Sequence, residues 1–172
     1  MKLKRETGKI RSSAIFDRSK KGFPYRYILR KVWNKNLPKA TLIMLNPSIA
    51  DEIKNDHTIN RVINFLIKEG YGKLDVLNIF AYINTDSENL KARPEFVGPL
   101  NDRFIKKFTN KSSIVLIGWG SDKNYFNRKR EVLHILKDKK LECFNDLSSR
   151  NKPIHPSVLA KEFWLEEYIP NF

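Results

Sequence analysis

The sequence is organised around the run Thr41-Leu42-Ile43-Met44-Leu45-Asn46-Pro47-Ser48-Ile49-Ala50-Asp51. Its apolar first half predicts a buried strand, and Pro47 ends that strand because proline has no N–H to donate to a sheet. Two similar apolar runs, 74–78 and 114–118, are each followed by small, polar or aromatic residues. In an open α/β sheet, ligands bind at the carboxyl ends of such strands. The sequence therefore predicts three strand ends that converge on one crevice.

A helix is predicted between the first two of these strands. Asp56 is a suitable N-cap residue, and Gly70 and Gly72 follow the last helical turn. The apolar side chains between them recur with helical spacing at Ile59, Val62, Ile63, Leu66 and Ile67. Strand, helix and strand thus form a βαβ unit, which is expected to be parallel and right-handed.

The rest of the chain continues this alternation. The further predicted elements are a long functional loop over 81–100 that covers the crevice, helices over 100–108 and 124–139, a strand over 141–144 and a terminal helix over 158–168. The helix over 124–139 is expected to bury Tyr125 and Val132 and to expose Arg128-Lys129-Arg130. The predicted fold is an α/β three-layer sandwich with a mostly parallel central sheet.

An N-terminal β-hairpin is predicted over residues 13–33, with strands at 13–16 and 25–33. Residues 1–12 are expected to be mobile or to form an edge segment. Alternation in the second strand would place Tyr25, Tyr27, Leu29 and Trp33 on one face and Arg26, Ile28, Arg30 and Val32 on the other. The hairpin is thus expected to carry a basic stripe beside the crevice.

Length and composition indicate a single α/β domain over residues 1–172. The chain is 41% hydrophobic, and it contains no apolar run of the roughly 20 residues that span a bilayer. The N-terminus lacks the apolar core of a secretory signal. Cys143 is the only cysteine, which excludes an internal disulfide and a cysteine-cluster metal site. A cytoplasmic protein without membrane contact, metal or cofactor is expected.

The positive charge is concentrated near the N-terminus. Of the formal net charge of +14, residues 1–40 account for +11, because thirteen Lys and Arg face only Glu6 and Asp17 there. Such a block, interleaved with aromatic residues, suits contact with nucleic-acid phosphates. The predicted phosphate contacts are Arg26, Arg30 and Lys31. The alternative interpretation is a solvated basic face.

The common metal, phosphoryl-transfer and acyl-transfer motifs are absent from the sequence. Asn46 and Asn78 end two predicted adjacent strands, where an amide can hold a water or read a base edge. His155 lies in a Pro-flanked loop, which can direct its imidazole at a ligand oxygen. Asp51 is a candidate general base. The ordinary alternatives are turn-forming amides, a structural histidine and a helix cap.

Further ligand contacts are predicted around the crevice. Phe80 and Trp119 could stack on a base or fill the core. The loop residues expected to contact substrate are Pro47, Ser48 and Ser157.

Several short motifs resemble a bacterial and phage family of uncharacterised proteins. The segments that carry this resemblance are Met44-Leu45-Asn46-Pro47-Ser48-Ile49-Ala50-Asp51, Asp56-His57-Thr58-Ile59, Gly70-Tyr71-Gly72, Asn78-Ile79-Phe80-Ala81, Val97-Gly98-Pro99-Leu100-Asn101-Asp102, Gly118-Trp119-Gly120 and His155-Pro156. The resemblance covers roughly residues 25–160 and implies membership of a domain family of unknown function.

The chain also distantly resembles the uracil-DNA glycosylase superfamily, in which a Gly-x-Asn-Pro or Gly-x-Asp-Pro motif follows the first core strand, an Asn ends the next strand and His-Pro-Ser lies near the C-terminus. In this sequence Met44-Leu45 precedes Asn46-Pro47 in place of Gly-x. This similarity implies a uracil-DNA glycosylase-like fold. It also implies that Asn46 positions the hydrolytic water, Asn78 reads the base and His155 stabilises the oxygen of the departing base.

Three functions remain open at the level of sequence. The first is a glycosylase-like N-glycosidic hydrolase that acts on a nucleobase in DNA or in a nucleotide or nucleoside. The second is a non-catalytic protein that binds a nucleotide or nucleic acid in the same crevice. The third is a structural or adaptor role for the basic hairpin, which leaves the aligned polar strand ends unexplained.

Overall fold

The computed structural model describes residues 7–19, 24–47, 57–84, 94–121, 123–148 and 150–170. Within these ranges the chain forms one seven-stranded mixed sheet and four α-helices. The strands are β1 (Arg11–Asp17), β2 (Tyr25–Val32), β3 (Lys39–Met44), β4 (Lys73–Asn78), β5 (Ile114–Ile117), β6 (Leu141–Asp146) and β7 (Phe163–Glu167). The helices are α1 (His57–Lys68), α2 (Pro94–Val97), α3 (Asn101–Thr109) and α4 (Phe126–Ile135).

The strand order is β1-β2-β4-β3-β5-β6-β7. The four central strands, β4, β3, β5 and β6, are parallel to one another. The other three strands, β1, β2 and β7, join the sheet by antiparallel pairing. The prediction that the three apolar runs form neighbouring parallel strands is confirmed, and the structure places β3 between β4 and β5. The expectation of a mostly parallel sheet is corrected to a mixed sheet, because antiparallel strands extend the parallel centre at both edges.

The helices lie on both faces of the sheet. Side chains of α1 pack on one face in a core with Leu42, Val76 and Leu116. Side chains of α3 and α4 pack on the other face with Ile43 and Ile117. The helix that follows β3, α1, lies on one face of the sheet, and the helix that follows β5, α4, lies on the other. A topological switch point therefore lies between the carboxyl ends of β3 and β5. None of these helices has the length and apolarity needed to cross a bilayer.

The two chain ends differ partly from expectation. The hairpin of β1 and β2 is confirmed, and β1 begins at Arg11, inside the segment expected to be mobile. The predicted helix over 158–168 is wrong, because residues 163–167 form β7 and pair with β6. Phe163 and Leu165 pack against the α1-side core, which is the period-two pattern of a strand. The Asp56 cap and residues 85–93 of the predicted covering loop lie outside the described residues, and the described part of that loop includes α2.

The face assignment in β2 is also corrected. The pairing with β1 changes register between Ile15 and Phe16, and the partners of these residues, Ile28 and Arg26, are separated by Tyr27. Tyr27 stacks on Phe104 of α3, with ring centroids 4.9 Å apart, whereas Leu29 packs in the α1-side core. An extra residue in one strand reverses the faces of the residues on either side of it. Simple alternation therefore fails at this point.

Candidate functional site: the carboxyl-end crevice

The carboxyl ends of β3 and β4 are joined by backbone hydrogen bonds beyond the last paired residues. The N–H of Ile79 donates to the carbonyl of Met44 at 2.9 Å, and the N–H of Phe80 donates to that of Leu45 at 3.0 Å. The Asn46 Nδ2 donates to the carbonyls of Asn84 at 2.7 Å and Pro47 at 3.3 Å. Because Nδ2 has two hydrogens, these bonds fix the orientation of the amide and assign Oδ1 the role of acceptor.

Asn78 ends β4 directly beside Met44. Asn78 is only 2% exposed. Strand alternation places its side chain on the α1 face of the sheet, with those of Leu74 and Val76. In the structure this amide therefore offers a ligand almost no accessible surface. Asn78 and Asn46 thus lie at the ends of adjacent strands, as the sequence predicts.

Two residues that the sequence analysis missed hold the end of β4 in place. The Nδ2 of Asn101 donates to the carbonyls of Asn78 at 2.8 Å and Ile79 at 3.0 Å. The Nε of Arg128 donates to the same Ile79 carbonyl at 2.9 Å. Arg128 also pairs with Asp102 and with Glu131. The expectation that Arg128 is exposed is therefore wrong, and Lys129 is likewise buried.

His155 has a defined hydrogen-bonding role. Its Nδ1 accepts a hydrogen bond from the backbone N–H of Ser157 at 3.2 Å and lies 2.7 Å from the Ser157 Oγ. A ring nitrogen that accepts an N–H cannot itself carry a proton, so the neutral imidazole carries its proton on Nε2. His155 is thereby a donor through Nε2. In the structure Ser157, predicted as a substrate contact, orients this imidazole.

The loop that carries His155 contacts the end of β5. Gly118 packs closely against this loop, because a Cβ at position 118 would lie 2.9 Å from the Leu42 Cδ1 and 3.2 Å from the Pro156 Cδ. A Cβ at Gly120, whose φ is +83°, would lie 3.9 Å from the Cβ of His155. The His155 loop therefore sits against β5, next to the switch point between β3 and β5.

Asp146, at the end of β6, holds the base of the same loop. Its carboxylate accepts hydrogen bonds from the backbone N–H of Ser148 at 2.8 Å and that of Ala160 at 2.7 Å. The Ser148 hydroxyl also donates to it, and Arg150 lies 3.6 Å away. These interactions, that of the Ser148 side chain first, lower the pKa of Asp146. Sequence reasoning missed this residue, although an Asp two residues before a Ser is a recognisable turn signal.

The other predicted ligand contacts are buried or lie outside the described residues. Phe80 and Trp119 are 2% and 3% exposed and pack in the core on the face of α3 and α4. Phe80 contacts Tyr125, and Trp119 contacts Tyr168 edge to face. Burial leaves almost no ring surface for a base, so the core alternative describes both residues. Pro47 is buried, and Ser48 and Asp51 lie outside the described residues.

The predicted basic stripe is not on the surface. Arg26 and Lys31 are 5% and 2% exposed, because β2 is an interior strand between β1 and β4. Arg30 is half-exposed and forms two hydrogen bonds with the buried Asp75, from Nε at 2.6 Å and Nη2 at 2.7 Å. The burial of Arg26 and Lys31 and the ion pair of Arg30 thus argue against these three side chains as exposed phosphate contacts.

The described residues contain a cavity of about 400 Å³ beside α1, lined by Arg61, Asn64, Phe65, Lys68, Glu69, Lys161, Glu162 and Phe163. The Arg61 guanidinium is occupied there by the carbonyls of Leu159 and Ala160. No group of three or more His, Cys, Asp or Glu side chains in the described ranges is arranged to hold a metal ion. The polar groups at the carboxyl ends of the strands are therefore the candidate site, and we call it the carboxyl-end crevice: Asn46, Asn78, Gly118 and His155.

Comparison with curated proteins finds no match to this chain. A family model described as "Protein of unknown function (DUF1643)" matches residues 26–157. The matched segment begins in β2 and ends at Ser157, so it includes every residue of the carboxyl-end crevice. Since the match covers well over half of the sequence, the chain belongs to the DUF1643 family.

Proposed function

We propose that the protein binds a nucleobase-containing ligand in the carboxyl-end crevice and hydrolyses its N-glycosidic bond. The ligand is DNA or a nucleotide or nucleoside. The observation that carries this proposal is the bond from the Ser157 N–H to the His155 Nδ1, which makes His155 a neutral donor beside the switch point. The distant similarity to the uracil-DNA glycosylase superfamily assigns the same chemistry to the same residues.

The proposed reaction uses donors and acceptors that are already oriented. A water oxygen forms a bond to the sugar C1′, and the bond from C1′ to the base nitrogen breaks, so the electron pair leaves with the base. The negative charge that develops on the base oxygen is stabilised by the Nε2–H of His155. The Oδ1 of Asn46 accepts a hydrogen bond from the attacking water, whose proton finally returns to the departing base.

Asn78 has the position of a base-reading residue in this proposal. Its amide provides both a donor and an acceptor, and such a pair can match the edge of one base. Because the residue is 2% exposed, this role requires the side chains that cover it to move when the ligand binds. Extruding a base from a duplex costs a few kcal/mol, so damaged or single-stranded sites would be favoured substrates.

The second candidate is a protein that binds the same ligand without reacting it. The observation that favours it is the chemistry of the crevice: its described polar side chains are two amides and one imidazole. An amide is a much weaker base than a carboxylate, so Asn46 alone supplies modest activation of water. The two candidates differ in turnover and agree on the site.

Single-turnover assays of base release separate the two candidates. We expect Asn46→Ala and His155→Ala to abolish release from the substrate that wild type accepts, while affinity stays within about tenfold, or about 1.4 kcal/mol. Asn78→Ala should instead reduce discrimination between bases by roughly 1–3 kcal/mol. His134→Ala, at an exposed position of α4, is the matched control and should keep wild-type activity.

The substrates are oligonucleotides that carry modified bases and a panel of free nucleosides and nucleotides. One outcome contradicts the enzyme proposal: wild type releases no base from any of these substrates but binds one nucleotide tightly, and the three crevice variants lose that affinity together. The proposal of a non-catalytic binding protein then replaces it.

A further inference from the structure

A basic cleft lies at the opposite end of the sheet from the crevice. It is a cavity of about 380 Å³ lined by Thr7, Lys9, Arg11, Val32, Trp33 and Lys35. Val32 pairs with Lys73, the first residue of β4, and the Trp33 N–H donates to the carbonyl of Gly72 at 3.0 Å. The cleft is therefore at the amino end of the parallel strands. A six-residue strand separates it from the crevice by about 20 Å.

The cleft has an uncompensated positive charge. Lys9, Arg11 and Lys35 are exposed, and the described lining residues include no carboxylate. Within the described ranges none of the three cations forms an ion pair with Asp or Glu. Three like charges around one concavity produce a positive potential that concentrates anions. The positive charge of the cleft thus suits the binding of phosphate groups.

Trp33 gives the cleft a flat apolar wall. Its Nε1 donates to the carbonyl of Tyr71 at 2.8 Å, and the side chain packs against the α1-side core while remaining only partly buried. The ring is therefore held in one orientation before any ligand arrives, so little side-chain entropy is lost on binding. Aromatic side chains fixed beside cationic groups are the stacking surfaces of proteins that bind single-stranded nucleic acid.

We infer that this cleft binds single-stranded nucleic acid. Lys9, Arg11 and Lys35 contact its phosphates, and one base stacks on Trp33. The cleft volume is near the lower end of the range for small-ligand sites, about 300–1,000 Å³, which suits one nucleotide unit. A duplex keeps its bases stacked on each other and cannot offer one to Trp33. The inference goes beyond the proposed hydrolysis, because the cleft is remote from the crevice and its binding assay needs no turnover.

Fluorescence anisotropy with a labelled short oligothymidylate tests the cleft. The test variant is Lys9→Gln/Arg11→Gln/Lys35→Gln. Its matched control, Arg103→Gln/Lys106→Gln/Lys137→Gln, removes the same charge from exposed positions in and after the helices of the other face. We expect the cleft variant to lower the salt slope by about 2 and the affinity about a hundredfold at about 0.1 M salt, since each phosphate contact to a single strand contributes about 0.7 to the slope. The control variant should lose much less.

Variants of Trp33 separate nucleic acid from other anions. Trp33→Leu removes the stacking surface and should reduce affinity for the oligothymidylate about tenfold or more, whereas Trp33→Phe retains a ring and should retain most of the affinity. Wild type, Trp33→Leu and Trp33→Phe should all bind inorganic polyphosphate with the same affinity. Circular dichroism and thermal unfolding verify that each variant is folded.

Two results would overturn the inference. Equal salt slopes for the cleft and control variants would mean that the phosphates bind elsewhere. If polyphosphate and a duplex of equal length compete as well as the oligothymidylate, and Trp33→Leu changes nothing, the cleft is a general anion site that does not recognise single-stranded nucleic acid.

Discussion

Replacing Asp75 by Asn should be among the most destabilising substitutions that keep side-chain size. Asp75 is fully buried, and its carboxylate accepts hydrogen bonds from Arg30 and, at 2.9 Å, from the Lys39 Nζ. Removing the carboxylate leaves Lys39, whose side chain is 10% exposed, as a buried cation without its anion. Loss of one partner of a buried ion pair costs about 3–5 kcal/mol. Arg30 adds less, because its half-exposed guanidinium can regain water.

Urea denaturation measures this cost directly. With a slope of about 2 kcal/mol per M, the midpoint for Asp75→Asn should fall by about 2 M. The matched control is Asp102→Asn, which removes a half-exposed carboxylate paired with Arg128. Because Arg128 keeps its ion pair with Glu131, this variant should lose about 1 kcal/mol or less. Equal losses in the two variants, or a loss below about 1 kcal/mol for Asp75→Asn, would refute the assignment of Asp75 as the central buried anion.

The same variant should show a defined pH dependence. Burial lowers the pKa of Lys39, while Asp75 acts in the opposite direction. A lysine whose folded pKa lies below its unfolded value makes stability rise with pH between the two values, because the unfolded chain then binds more protons. Without Asp75 the folded pKa falls further and the window widens. The deficit of Asp75→Asn should therefore shrink as the pH rises toward the ordinary lysine pKa, and a constant deficit would contradict this reasoning.

Two further predictions concern the supports of the crevice. Asp146→Asn should speed hydrogen exchange at the amides of Ser148 and Ala160, because both amides donate to the Asp146 carboxylate. The variant should also change how stability depends on pH. In wild type the lowered pKa of Asp146 contributes stability above the ordinary carboxyl pKa, and this contribution is lost as the pH falls through the lowered value; the variant should lack it. Arg128→Gln should lower the free energy of unfolding by about 1–3 kcal/mol in urea, because the Ile79 carbonyl loses a buried partner, whereas Arg130→Gln at the exposed neighbouring position should change it by less than about 0.5 kcal/mol.

Local sequence signals determined the central architecture. The apolar runs that end at Asn46, Asn78 and Gly118 are β3, β4 and β5 in the structure, and the helical spacing from Ile59 to Leu66 is the buried face of α1. These elements could be predicted because the spacing of apolar residues along a short segment indicates which side of the helix or strand is buried. Even here Ile67 is 48% exposed, although the pattern placed it on the buried face.

Features that depend on distant partners could not be predicted in this way. Residues 163–165 are three consecutive apolar residues, a pattern that fits a helix or a strand, and pairing with β6 selects the strand. Arg30 was expected to be exposed, yet it reaches Asp75, which is 45 residues away in the sequence. The sequence showed a basic residue and a strand, and only the neighbours of that strand in the sheet decided which way the charge faces.

The same distinction applies to the candidate sites. The polar residues at the strand ends were readable from the sequence because each follows an apolar run directly. The orientation of the Asn46 amide and the assembly of Lys9, Arg11 and Lys35 around Trp33 were decided by tertiary structure. Each of these depends on hydrogen bonds or on a cavity between distant segments, and neither composition nor periodicity predicts such contacts.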